Sequence, residues 1–161
     1  MDGRQAPPRR RSAEEIAVAE WLVRLAHADD IDALVALDSF AAPTNGRAAE
    51  ITRWVRESQC FCAEREGTIA AYYAIDDHFF GRPMLELVMV APAFRRHGLG
   101  RKMVEHAIAQ TGSELWTSTN QSNRAMQALL ERIGFQRSGI VEGLDDGDPE
   151  LIYRHVTSDK T

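Results

Sequence analysis

Val90-Ala91-Pro92-Ala93-Phe94-Arg95-Arg96-His97-Gly98-Leu99-Gly100-Arg101 joins a strand to a helix, and how it does so decides the fold. Upstream, residues 84–90 form an apolar, strand-forming run interrupted by one carboxylate, Glu86. Downstream, Leu99, Met103, Val104, Ala107 and Ile108 recur at helical spacing until Gly112 stops them. Gly98 and Gly100 stand where that helix opens. Backbone N–H groups at a helix start lack intrahelical partners, the helix dipole favours negative charge there, and glycine lets a ligand approach without a Cβ in the way. Arg95, Arg96, Arg101 and Lys102 crowd the same segment, so a diphosphate is the expected guest. The segment is not a Walker A loop, and Met103 takes the third glycine's place in a dinucleotide fingerprint.

Outward from this junction the chain alternates cleanly. Residues 60–64, residues 69–75 after a Glu66-Gly67 turn, and residues 84–90 after a loop holding Gly81 and Pro83 predict an antiparallel meander. Residues 114–117 supply the next strand, so the passage from Met84 to Thr117 predicts a right-handed parallel crossover with a ligand at its strand ends. Before the meander, residues 13–20 could add a helical turn or two and residues 21–25 a short strand. Asp29 is then placed to cap a helix bearing Ile31, Leu34 and Val35, and the break at residues 42–46 leads to another bearing Ile51, Trp54 and Val55. After the crossover, Met126, Leu129, Leu130 and Ile133 stripe a helix closed by Gly134, and strands at residues 135–141 and 151–156 flank an acidic loop. The expected fold class is α/β (α+β): a mixed, mostly antiparallel sheet with helices on both faces. It occupies one domain over residues 13–161, behind a flexible basic lead over residues 1–12.

At 161 residues with 44% hydrophobic content, the chain is long enough to bury a core without metal or disulfide staples. Cys60 and Cys62 sit in an apolar run at a spacing that suits neither a strain-free bridge nor a zinc half-site, so both read as structural in a reducing compartment. No apolar run reaches the roughly 18 residues that span a bilayer, and the opening residues lack a secretory h-region, which predicts a cytoplasmic protein without a membrane partner. The net charge of −5 hides four Arg in residues 1–12, leaving about −8 on the rest, which argues against nucleic acid as a partner of the body. The Arg9–Arg11 run could touch an anionic surface or simply be solvated.

The pattern V-x-P-x-x-R-x-x-G-x-G from Val90 to Gly100 resembles the acetyl-CoA-binding signature of the GCN5-related N-acetyltransferase (GNAT) family. The N-x-x-x-x-x-L-x-x-x-x-G-F passage from Asn123 to Phe135 and the order of elements resemble that family too. The resemblance implies a GNAT fold and acetyl-CoA as cosubstrate, with no metal. It places backbone groups of Met89 and Val90 on the pantetheine arm and acetyl carbonyl, and the amides of Arg95, Arg96, His97, Gly98, Leu99, Gly100 and Arg101 on the diphosphate. Asn123 is either a further cofactor contact or a helix-start residue satisfying local backbone. The activity implied is transfer of an acetyl group to a primary amine of a small molecule or peptide by direct attack. A CoA-binding module without turnover is the alternative. A second copy of the chain, joined through an exposed strand edge, is the expected partner.

Direct attack needs a base, and Glu86, on a strand between Leu85 and Leu87, is the candidate, because a carboxylate on a buried sheet has a raised pKa. The family's usual acid is a tyrosine where this chain has Leu130, so that role does not carry over. Ser122, Tyr72, Tyr73 and Tyr153 remain as alternatives, as does departure of the thiolate into water. Glu142, Asp145, Asp146, Asp148 and Glu150 crowd the last loop without a Lys or Arg among them. They could attract a cationic acceptor, hold a divalent cation, or form a solvated turn. His78, Phe79 and Phe80, read as a loop, either wall the acceptor site or fold back over the core.

Overall fold

The computed structural model describes residues 12–157, so the basic lead expected before Ser12 lies outside the described residues. Ser12 opens α1 (Ala13–Ala19) with a capping box: its side chain accepts from the Glu15 N–H while the Glu15 carboxylate accepts from the Ser12 N–H. A short edge strand, β1 (Leu22–Leu25), follows, then α2 (Ile31–Leu37) and α3 (Arg47–Arg56). The cap expected at Asp29 is displaced by one residue. Residues 28–30 form a single 3-10 turn, and it is Asp30 that accepts from the His27 N–H at 2.7 Å and grips the Arg24 guanidinium at 2.8 Å.

The meander is built by β2 (Cys60–Arg65), β3 (Thr68–Phe79) and β4 (Arg82–Val90), all antiparallel. Each hairpin turns on two left-handed residues, Glu66 (φ 50°) with Gly67 (φ 80°), and Phe80 (φ 54°) with Gly81 (φ 71°), the twist that two-residue hairpins require. The second turn corrects the sequence-based expectation: His78 and Phe79 belong to β3, not to a loop, because the tight turn at Phe80-Gly81 lets the strands run on to it. Then α4 (Leu99–Thr111) crosses to β5 (Glu114–Asn120), and α5 (Arg124–Ile133) leads to the final hairpin of β6 (Gln136–Val141) and β7 (Glu150–Val156).

The seven strands form one sheet in the order β1-β2-β3-β4-β5-β7-β6, parallel only where β4 meets β5. One face packs on α4 and α5 through Leu99, Met103, Val104, Ala107 and Leu130. The other packs on α2 and α3 through Leu34, Ile51, Trp54 and Val55. Residues 70–74 of β3 are wholly buried, as a central strand covered on both faces must be. Cys60 and Cys62 are free thiols under α2 and α3, and burial pushes them up to about 12 and about 11, so neither is a thiolate near neutrality.

Candidate active site

The crossover opens the sheet. Strands β4 and β5 pair only at Met84 with Trp116 and Leu85 with Thr117. Thr117 Oγ1 donates to the Leu85 carbonyl at 3.0 Å where the pairing stops. Beyond that point β4 keeps its register with β3 while β5 follows β7 along its whole length, so the two part company. The Ala91 N–H donates to the Ala70 carbonyl at 2.8 Å, which fixes the alternation of the β3–β4 ladder. Met89 is consequently engaged with Tyr72, whereas Val88 and Val90 turn their backbone groups into the opening. The Val90 carbonyl is taken by Arg95 Nε at 2.9 Å, leaving the Val90 N–H as the donor at the upper end.

The groove between the end of β4 and α5 has a volume of about 570 Å³. Val88, Val90, Met126 and Leu129 give it an apolar floor, and it ends at the loop 95–101. That loop begins as a 3-10 turn, Pro92–Phe94, pinned by Phe94 edge-on to Trp21 at 5.3 Å between ring centres. Left-handed backbone at Arg96 (φ 65°) and Gly98 (φ 83°) then curls the chain into α4. The Arg95 N–H is spent on the Pro92 carbonyl and the Lys102 N–H on that of Gly98. Among the described residues the N–H groups from Arg96 to Arg101 have no backbone acceptor, whereas the expected anion cradle began at Arg95. A Cβ at Gly100 would lie 3.8 Å from Val90 and 3.9 Å from Leu129, on the groove's inner wall.

The basic side chains divide. Arg96 makes no ion pair among the described residues, and Arg101 holds Glu105 one turn along the helix at 2.8 Å. Arg95 donates to Ser39 Oγ at 2.8 Å as well as to Val90, tying the α2–α3 loop to the end of β4. Lys102 is diverted: its Nζ donates to the carbonyls of Val18, at 3.0 Å, and Trp21, closing the end of α1. His97 is exposed, and Leu99 is buried in the core, so each can offer a ligand its backbone. Asn123 lines the groove, and its side chain also caps α5 by accepting from the Met126 N–H at 3.1 Å.

Glu86 stands where β4 bulges. Ala74 pairs with Leu87 and Ile75 with Leu85, so Glu86 is the extra residue. The bulge shifts the alternation: Leu85, Val88 and Val90 face α4, whereas Leu87 and Met89 face α2 and α3. Glu86 is exposed rather than buried in the sheet, as sequence had suggested, yet crowding by protein and a hydrogen bond with Asp76 push its carboxyl up to about 7, with Arg53 opposing and Glu50 reinforcing the shift. Asp76, on β3, was not singled out from sequence. Its carboxylate is 1% exposed and accepts from the His78 N–H at 3.0 Å, with His78 Nδ1 3.2 Å away. A polar residue continuing an apolar run, in Ile75-Asp76-Asp77-His78, was the available signal, hidden by ending the strand at Ile75.

The hydroxyl candidates are separated by their partners. Tyr72 donates to the buried Asp38, which also accepts from the Phe40 N–H. Tyr73 contacts His106 Nδ1 at 2.9 Å on the opposite face, and Tyr153 donates weakly to Glu131 at 3.4 Å. Burial pushes all three phenols above their ordinary value. Ser122 Oγ donates to Asp148 at 2.6 Å, and Leu130 is fully buried. The acidic loop is docked, since Asn120 holds Asp145 at 2.9 Å and the Ser122 N–H holds Asp148 at 2.9 Å. Among the described residues no group of three His, Cys, Asp or Glu is placed to hold a metal ion. Phe79 packs on Trp116, 5.4 Å between ring centres, in a shallow pocket, while Phe80 is 88% exposed at its rim.

A parted parallel pair with an N–H-rich helix start at its mouth is the architecture of an acyl-carrier-dependent transferase. The model of the acetyltransferase (GNAT) family matches residues 25–135, and the chain belongs to that family. It is 35% identical over 74 residues to the ribosomal protein bS18-alanine N-acetyltransferase of Salmonella typhimurium, a match covering 44% of this chain and 50% of that protein. It is 33% identical over 79 residues to the 5-NmdU N-acetyltransferase of Pseudomonas phage PaMx11, covering 48% and 56% respectively. The chain thus spans about half the length of the curated relatives it matches. A GNAT-family acetyltransferase of Bacillus cereus superposes with a TM-score of 0.79 at 32% identity, over 86% of this chain and 98% of that one. The fold is shared with yncA of Salmonella typhimurium, solved with its cofactor acetyl-CoA, at a TM-score of 0.68 and 18% identity over 87% and 95% of the two chains.

Proposed function

We propose that this protein transfers the acetyl group of acetyl-CoA to the primary amine of a small molecule or peptide, by direct attack. The observation that carries the proposal is the groove between the end of β4 and α5. It is apolar along Val88, Val90 and Leu129, and it ends on the unpaired N–H groups from Arg96 to Arg101. Those features suit a pantetheine arm, its methylenes against the apolar side chains and its amides toward the β4 backbone, followed by a diphosphate, and yncA of the same fold was solved with that cofactor. Bound acetyl-CoA supplies a thioester carbonyl open to nucleophiles. The Val90 N–H is the donor for its oxygen as negative charge grows there. Arg96 and the loop amides hold the anionic end, and Asn123 closes the groove from α5.

Glu86 takes a proton from the incoming ammonium. Held up to about 7, it is a stronger base than an ordinary glutamate and is still ionised in an appreciable fraction at neutral pH. Glu50 and Asp76 give its surroundings an acidic balance against Arg53, which favours a cationic acceptor. With Leu130 in the core and the tyrosines engaged elsewhere, the thiolate leaves into water, which its modest basicity permits. A second reading rests on Leu130: a domain that binds CoA without turning it over. Incubation with acetyl-CoA and amines of graded charge and size, following thiol release and the mass of the acetylated amine, separates the two. Thiol release that depends on the amine supports the enzyme, and tight CoA binding with no release across the series supports the module.

A further inference from the structure

His78 has no part in the scheme above and Asp76 enters it only as a charge, yet the two extend Glu86 into a chain of polar groups that ends in solvent. Ile75 and Leu85 pair and face α4, so their neighbours Asp76 and Glu86 stand together on the other face of adjacent strands, where the Asp76 carboxyl raises the affinity of Glu86 for its proton. Asp76 is buried, and its other neighbour is His78, through the backbone N–H at 3.0 Å and Nδ1 at 3.2 Å. The His78 ring is 67% exposed. A buried carboxylate needs a partner for each oxygen, and here those partners are the Glu86 carboxyl on one side and a solvent-facing imidazole on the other.

We propose that Glu86, Asp76 and His78 form a proton relay that carries the acceptor's proton from the site to bulk water. The proposal rests on the assignment of Glu86 as the base. The ammonium N–H bond breaks as a proton moves to a Glu86 oxygen, Glu86 passes a proton to Asp76, and Asp76 passes one to His78 Nδ1. His78 then releases a proton from Nε2 to water, and solvent exchange returns the exposed ring to its starting tautomer. Ammonium and thioester giving amide and thiol release one proton in all, and that is the proton exported. Asp76 is a positioning residue with a second effect: a neighbouring carboxylate raises the affinity of Glu86 for its proton, against Arg53 and with Glu50 on α3. An imidazole is the side chain suited to exchange protons with water near neutral pH.

The test uses the full chain. Carbon-13 carboxyl NMR of Glu86 is expected to titrate near pH 7 in the wild type, and in Asp76→Asn, which keeps the oxygen that accepts from the His78 N–H, to fall by about one unit or more. A midpoint unmoved by Asp76→Asn overturns the carboxyl pair, and this measurement needs no acceptor. With an acetylated amine in hand, His78→Gln is expected to slow turnover several-fold in dilute buffer and to recover on adding imidazole, whereas turnover unchanged in dilute buffer overturns the exit step. A Glu86→Gln variant that loses its acid limb while Asp76→Asn and His78→Gln turn over at the wild-type rate in dilute buffer leaves the base assignment standing and removes the relay. If Glu86→Gln itself is unaffected, the base assignment falls, and the titration still decides the pair.

Discussion

At the scale of single residues, the site depends on what surrounds each group more than on the group itself. Because Glu86 must be ionised to accept a proton, kcat/KM is expected to rise as pH increases through about 7, and Glu86→Gln to lower turnover by roughly a hundred- to ten-thousand-fold and abolish that limb. The same shift has a stability consequence. A carboxyl that holds its proton more tightly when folded favours the native state below its unfolded pKa of 4.5 and loses that contribution as pH rises through about 7. Thermal melts should therefore show Glu86→Gln gaining on the wild type at pH 8 relative to pH 4. Gly98 and Gly100 look alike in sequence but differ in kind. With φ at +83°, Gly98 is held by backbone conformation, and Gly98→Ala is expected to cost about 1–2 kcal/mol of stability in denaturant melts. Gly100 is ordinary helix, so Gly100→Trp should keep the fold while its side chain fills the space toward Val90 and Leu129. Calorimetry should then show CoA affinity reduced by at least about tenfold, a loss of about 1.4 kcal/mol.

Among the elements, the junction of β4 with α4 is held from three sides. Phe94 packs on Trp21, Lys102 closes α1, and Arg95 joins the Val90 carbonyl to Ser39 on the α2–α3 loop. Lys102 sits among the expected phosphate ligands in sequence but is turned away by its bonds to Val18 and Trp21. Lys102→Met is accordingly expected to leave CoA affinity within about twofold while lowering the melting temperature, because it strips donors from the end of α1. Arg95→Ala should act on both sides of the site. It frees the loop that carries Phe40 at the groove's rim, so the KM for the acceptor and the Kd for CoA are both expected to rise. Helix α5 contributes by its two faces, Met126 and Leu129 toward the groove and Leu130 into the core. Leu130→Ala should cost about 2–5 kcal/mol by opening a cavity beneath the site, measurable in chemical denaturation.

For the molecule as a whole, Glu50 and Asp76 stand around Glu86 while Arg95, Arg96 and Arg101 gather at the α4 start, so the proposed cationic amine and anionic carrier would meet separate charges. An acceptor's KM is expected to rise with ionic strength as screening weakens that attraction, most steeply for acceptors of higher charge. The sequence alone determined the order of elements, the helices that end at Gly112 and Gly134, the Glu66-Gly67 hairpin and the turn that leads β4 into α4, because each is a local matter of periodicity and turn chemistry. It also pointed to Glu86, though for the wrong environment. Tertiary structure alone decided that β3 runs on through His78, that Glu86 is the extra residue of a bulge, that Asp76 is buried, and that Lys102, Ser122 and the tyrosines are engaged elsewhere. Those outcomes depend on which residues face one another across strands and helices distant in the chain. Pairing register and side-chain competition set that, and neither is written in any local stretch of sequence.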